Sequence, residues 1–296
     1  MSTTTPAGTT APAAKLERWQ RFRANRDKAL AAGHGWLTLT SFQWLEDSPA
    51  AVELVPGMWS TQGNGSAEGA GTRESTTAVL TAVPSDGLTL VETGETVDGT
   101  ITAVLADEES LMWVQFGGPA GDRTVVELAM RGGRYAIRTR DAESPVFTEF
   151  DGVPTYPYNP EWEVTARFEP YPAPVDVPIS TANPLVDGVH RTVGEVVFRL
   201  PGSPHEFRLQ AEEEKLGALT VTFHDETNGY TTDEWRKVSA PRPRPNPDGS
   251  FTVVLDFNRA INYPSAFTPY GTCPMPVRNN SLDIRVEAGE KEPYPA

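Results

Sequence analysis

Short apolar runs broken by turn-forming glycine dipeptides constrain the fold of this chain more than any other feature. The sharpest case is Thr124–Arg131, then Gly132-Gly133, then Arg134–Arg140. Two consecutive glycines supply the positive φ that a two-residue hairpin turn needs. Asp86-Gly87, Asp98-Gly99 and Asn228-Gly229 are turn signals of the same kind. Strand-like runs fall around them at Trp36–Leu45, Ala78–Val83, Leu88–Glu92, Thr100–Ala106 and Met112–Phe116. Others follow at Glu195–Leu200, Glu206–Gln210, Ala218–Phe223, Phe251–Phe257 and Leu282–Glu287. Serial hairpins of this kind predict a mostly β fold, an antiparallel meander arranged as a sandwich or barrel.

One helical pattern precedes the strands, over Lys15–Ala32. Leu16, Trp19, Phe22 and Leu30 lie near one face, and Gly33 suits the C′ position. The same stretch is basic, with Lys15, Arg18, Arg21, Arg23, Arg26 and Lys28 against Glu17 and Asp27. Such a helix either binds a ligand or docks on an acidic body, and docking is the simpler expectation. Residues 1–14 read as a disordered tail. Residues 15–296 read as one β-rich domain, or as two packed β halves of about 15–150 and 151–296. The proline- and tyrosine-rich stretch Asp151–Pro178 reads as a crossing segment between them, and Pro241–Asp248 as a loop. Gly63, Gly65, Gly69 and Gly71 read as a turn rather than a phosphate cradle.

Charge excludes some partners. With 25 basic and 40 acidic residues the net charge is −15, which repels phosphate backbones and anionic lipid heads. No nucleic-acid or membrane partner is expected. The single cysteine, Cys273, forbids an intrachain disulfide and fits a reducing, cytoplasmic compartment. The N-terminus lacks a basic region followed by an apolar core, so no signal peptide is expected. No apolar run is long enough to span a bilayer.

The chemically loaded stretch is Asp256–Pro276. On a strand ending Thr252–Asn258, Asp256 and Asn258 would share one face about 7 Å apart, with Arg259 following. Asn262, Pro264, Phe267, Pro269, Tyr270, Cys273, Pro274 and Pro276 then form a loop that proline stiffens. Such a loop can hold polar groups still for a ligand. It can equally be self-contained, with Asp256 paired to Arg259 and Asn262 capping backbone groups.

Other chemistries find less support. Cys273 would need a base from elsewhere in the fold to act as a nucleophile. His34, His190, His205 and His224 are scattered, so neither a metal nor another cofactor is expected. There is no nucleophile elbow, Walker loop or dinucleotide fingerprint. Glu290 beside Lys291 reads most simply as a surface turn. Arg138, Arg236 and Arg259 could grip an anion bidentately if left without full carboxylate pairing.

The residues Leu255 through Ala260, Asn262, Pro264, Ala266 through Tyr270, Thr272 through Pro274, Pro276, Asn280, Leu282 and Ala288 through Lys291 resemble the signature of a bacterial family known as domain of unknown function 1684. Looser likenesses occur at Gly35–Leu39 with Trp44-Leu45, at Arg138–Asp141 with Ser144-Pro145, and at Phe223, Asp225, Thr227 and Gly229 before Arg236. Together they run from about Trp19 to Lys291. The resemblance implies that Lys291 reaches inward, and it brings no activity. Ser265 stands where the family usually has a cysteine, Tyr263 where it has proline, and Thr232 where it has tyrosine. A paired-cysteine metal or redox role is therefore not expected.

The expected function is binding of a small polar, anionic metabolite, with Arg138, Arg236, Asn258, Arg259 and Asn262 as ligand contacts. The alternative is a hydrolase or lyase on a small polar substrate. Asp256 would then be the general base, assisted by Tyr270, Cys273 or Lys291. A third reading is a structural or interaction module without a ligand.

Overall fold

The computed structural model describes residues 11–63 and 76–293. The tail up to residue 10 and the glycines Gly65, Gly69 and Gly71 lie outside the described residues. The fold is mostly antiparallel β with one long N-terminal helix. The helix, α1, spans Ala11–Leu30, so it begins inside the stretch expected to be tail. No described helix is long and apolar enough to cross a membrane. The chain divides into two compact units, Leu30–Phe150 and Met1–Ala29 with Asp151–Ala296. Helix α1 thus belongs almost wholly with the C-terminal half of the sequence.

The unit Leu30–Phe150 holds two antiparallel sheets. One has the order β1 (Leu39–Trp44), β9 (Arg134–Asp141), β8 (Thr124–Arg131), β7 (Ser110–Phe116), β5 (Thr89–Leu90). The other runs β2 (Ala50–Val52), β3 (Val55–Gly63), β4 (Thr76–Ala82), β6 (Gly99–Ala103). Trp59, Leu80, Trp113, Leu128, Tyr135 and Ile137 form its core. The β8–β9 hairpin turns at Gly132 and Gly133 with φ of 58° and 76°, and Arg131 pairs with Arg134. Both strands are buried along most of their length, so their charged residues must pair.

The other unit holds a larger sheet, ordered β15 (Arg244–Pro245), β16 (Phe251–Asp256), β10 (Glu163–Ile179), β11 (Gly188–Phe198), β12 (Phe207–Glu213), β13 (Leu219–Asp225), β14 (Arg236–Ala240), β17 (Ile261–Asn262). A short strand, β18 (Ser281–Leu282), adds to β13 in parallel. The core gathers Trp162, Phe198, Phe207, Leu209, Val221, Phe223, Leu255 and Phe257.

Six strands escape the sequence reading: β2, β3, β10, β14, β15, which lies inside the stretch read as a loop, and β17. Proline and glycine hide β3 (Pro56, Gly57) and proline hides β10. In β10 only Glu163–Phe168 pairs with β16. The proline-bearing remainder pairs with β11 alone, across an irregularity between Pro170 and Val175. Proline lacks the N–H for a second partner and is tolerated at such an edge. Asp151–Pro178 is thus largely strand rather than a crossing segment.

Candidate functional site

Strand β16 stops at Asp256 because the chain turns there. The Asp256 carboxylate accepts hydrogen bonds from the Asn258 backbone N–H (3.2 Å) and from Asn258 Nδ2 (2.9 Å). Phe257–Arg259 form a single 3-10 turn behind this cap. The expectation that Asp256 and Asn258 share a strand face is therefore corrected: Asp256 caps the turn that carries Asn258.

Asn258 is buried and fully used. Its Oδ1 accepts from the Asn159 N–H at 2.9 Å, and its Nδ2 donates to the Asn159 carbonyl at 2.8 Å. The Asn258 carbonyl in turn accepts from Trp19 Nε1 at 2.9 Å, which ties α1 to the turn.

Asn262 lies on the other side of the same turn. Its N–H donates to Glu290 Oε2 at 2.7 Å, and its Nδ2 to the Lys291 carbonyl at 2.8 Å. Glu290 is fully buried rather than on a surface turn. It accepts from Arg23 Nη1 at 2.6 Å and Arg26 Nε at 3.1 Å. Gly289, at φ 76°, makes this placement feasible: a Cβ there would lie 2.5 Å from the Ala260 carbonyl oxygen.

The remaining expected site residues are dispersed. Arg236 has no exposed surface and donates to Asp225 Oδ2 (2.7 Å) and to the carbonyls of Val286, Ala288 and Glu290. Its guanidinium is committed to holding the C-terminal segment. Arg138 lies in the other unit, buried, with Nη1 3.2 Å from Glu127 Oε1 and its guanidinium 5.2 Å from the Phe42 ring. Burial works to raise the Glu127 carboxyl, but Arg140 and Arg138 outweigh it and hold it below its ordinary value. Tyr270 is half-buried, and its N–H donates to Thr268 Oγ1. Cys273 is buried against Trp235 and Tyr263. Lys291 is half-buried, its ammonium 4.6 Å from the Tyr156 ring centroid.

Asp256 and Arg259 do share an open hollow of about 480 Å³ between α1 and the end of β16. Its other walls include Lys15, Arg18, Arg21, Phe22, Tyr158 and Glu163. Arg259 lies over the Phe22 ring at 4.4 Å. Lys15 bonds Glu163 at 2.6 Å, which holds its ammonium pKa above the ordinary lysine value. Burial raises the Asp256 carboxyl, against the hydrogen bonds from Asn258. Tyr158 is raised chiefly by burial, and its hydroxyl has no hydrogen-bond partner. Arg18, Arg21 and Arg259 make no direct ion pair with a carboxylate among the described residues, although the charge of Arg259 acts on Asp256 across the hollow.

The helix contribution and Tyr158 were missed as site residues. The basic run on α1 was visible, but sequence alone did not divide it. Arg23 and Arg26 face inward to Glu290, whereas Arg18 and Arg21 line the hollow.

These features define an antiparallel β protein whose one long helix closes an arginine-lined groove. The family model described as "Protein of unknown function (DUF1684)" matches residues 148–291 of the chain. The loaded segment and its C-terminal continuation lie within the match, whereas the looser likenesses before residue 148 lie outside it. A solved structure of an uncharacterized protein from gene locus rrnAC0354 of Haloarcula marismortui is similar at 27% identity, covering 49% of this chain and 78% of that one, with a TM-score of 0.40. No curated protein matches the chain.

Proposed function

We propose that the C-terminal β unit binds a small anionic metabolite in the groove between α1 and the end of β16. The observation that carries this reading is the set Arg18, Arg21 and Arg259, which line one hollow without a direct ion pair to a carboxylate among the described residues. Guanidinium groups in that state grip carboxylates and phosphates through paired N–H donors. Tyr158, with its hydroxyl unpartnered, supplies a further donor at the wall. Phe22 orients Arg259 by stacking, so less freedom is lost when a ligand arrives.

The net charge of −15 supports a small ligand rather than a nucleic acid. The lone buried cysteine supports a reducing, cytoplasmic compartment. A panel of small carboxylates and phosphates, read by thermal shift and calorimetry, tests the proposal. Stabilisation by one class, weakened in Arg18→Ala and Arg259→Ala, is the expected result; no response across the panel would overturn it.

A second reading, an enzyme of hydrolase or lyase type, draws support from Asp256. Burial raises its carboxyl and Arg259 lies close enough to oppose that shift, an arrangement that suits a general base beside an anion clamp. Turnover of a bound substrate that Asp256→Asn abolishes without loss of binding would favour this reading over simple binding.

A further inference from the structure

A second hollow in the same unit has the opposite character. It measures about 430 Å³, and its walls include Asp233, Glu234, Trp235, Ser265, Met275 and Glu292. None of these residues belongs to the arginine-lined groove. The acids come from two separate stretches of chain. Glu292 is brought beside the 229–235 loop by its N–H, which donates to the Thr231 carbonyl at 3.1 Å.

Two polar groups at this wall are left unmet. Trp235 is 3% exposed and its indole Nε1–H has no hydrogen-bond partner. Ser265 Oγ is likewise buried without one. Buried donors without acceptors are rare in folded proteins, and each calls for a partner.

We infer that this hollow is a ligand site for a small organic cation, an ammonium-bearing molecule that also carries an oxygen acceptor. The acids would neutralise the ammonium, the Trp235 ring would face it, and the oxygen would meet the indole N–H or the Ser265 hydroxyl. A bare metal ion fits less well. No three His, Cys, Asp or Glu side chains among the described residues converge closely enough to hold one. Asp233 is pushed up to about 6, chiefly by burial and then by Glu234 and Glu292, against a backbone hydrogen bond and the charge of Arg236.

Ethanolamine and choline added to the full chain, with acetate and sodium chloride as controls, test the inference. The readout is the indole N–H signal of Trp235 in a ¹⁵N-labelled sample, assigned with Trp235→Phe. The expected result is a saturable shift with ethanolamine, absent in both controls, and an affinity at least tenfold weaker in Glu292→Gln. Glu292 is half-buried near the C-terminus, so that variant should fold. No shift, a shift equalled by sodium chloride, or an affinity unchanged in both Glu292→Gln and Asp233→Asn would overturn it.

Discussion

Arg23 and Glu290 stand 267 positions apart in sequence, yet their side chains meet at 2.6 Å. The glutamate has no exposed surface, and the arginine side chain is 10% exposed. Arg26 reaches the same carboxylate, and the Asn262 N–H donates to its other oxygen. This buried cluster pins α1 to the C-terminal segment and so builds one wall of the arginine-lined groove.

Removing Arg23 leaves the buried Glu290 carboxylate with Arg26 as its one guanidinium partner. Arg23→Met is therefore expected to destabilise the C-terminal unit by roughly 1.5–3 kcal/mol, the worth of one buried charge-assisted hydrogen bond. Urea denaturation measures the loss. Limited proteolysis should show faster cleavage near α1 in the variant. A change within ordinary surface-mutant scatter would contradict this role.

Gly289→Ala probes the backbone that delivers Glu290. The residue sits at φ 76°, and an added Cβ would approach the Ala260 oxygen at 2.5 Å and the Phe257 oxygen at 2.8 Å. Strain and clash together should cost about 2 kcal/mol or more. A melting temperature equal to that of the parent chain would count against the geometry described.

Asp233 gives a pH signature. Its folded-state pKa is raised from 3.8 to about 6 by burial, with Glu234 and Glu292 adding to it. A carboxyl raised in this way is held protonated more tightly in the folded state. Its contribution to stability is full below the unfolded value and is lost as pH rises through about 6. Asp233→Asn should remove that loss, so that the variant gains on the parent between pH 4 and pH 7. The gain is on the order of 2 kcal/mol and at most about 3. Equal pH dependence in parent and variant, measured by urea unfolding across that range, would refute it.

Asp256→Asn separates a structural cap from a site residue. The carboxylate accepts two hydrogen bonds from Asn258, but burial raises its pKa, so the charged form is held at a cost. The amide oxygen of asparagine can still accept from Asn258, and the expected loss is about 1 kcal/mol or less. A loss several times larger would make Asp256 primarily structural.

Much of the fold was legible because its devices are local. Gly132-Gly133 marks the β8–β9 hairpin, and the apolar run at Phe251 marks β16. Strand β10 was illegible because its prolines lie where only one neighbour pairs, which no local pattern reveals. The geometry of the candidate site was legible in part. Asp256 and Arg259 were read from their spacing and do line one hollow. Arg236 and Asn262 were read as contacts, but long-range partners absorb most of their donors: Asp225 and Ala288 for one, Glu290 and Lys291 for the other. Residue type announces that a group will bond; only the fold decides with what. The same limit hid Glu290, a terminal-looking acid that became the buried anchor of the helix.

The most direct test of the account is calorimetric titration of the full chain with small carboxylates and phosphates, repeated on Arg18→Ala, Arg21→Ala and Arg259→Ala. Saturable binding of one anion class is expected, weakened about tenfold or more by each substitution, with folding stability little changed. Absence of binding to every anion in the parent, or binding indifferent to all three substitutions, would contradict it.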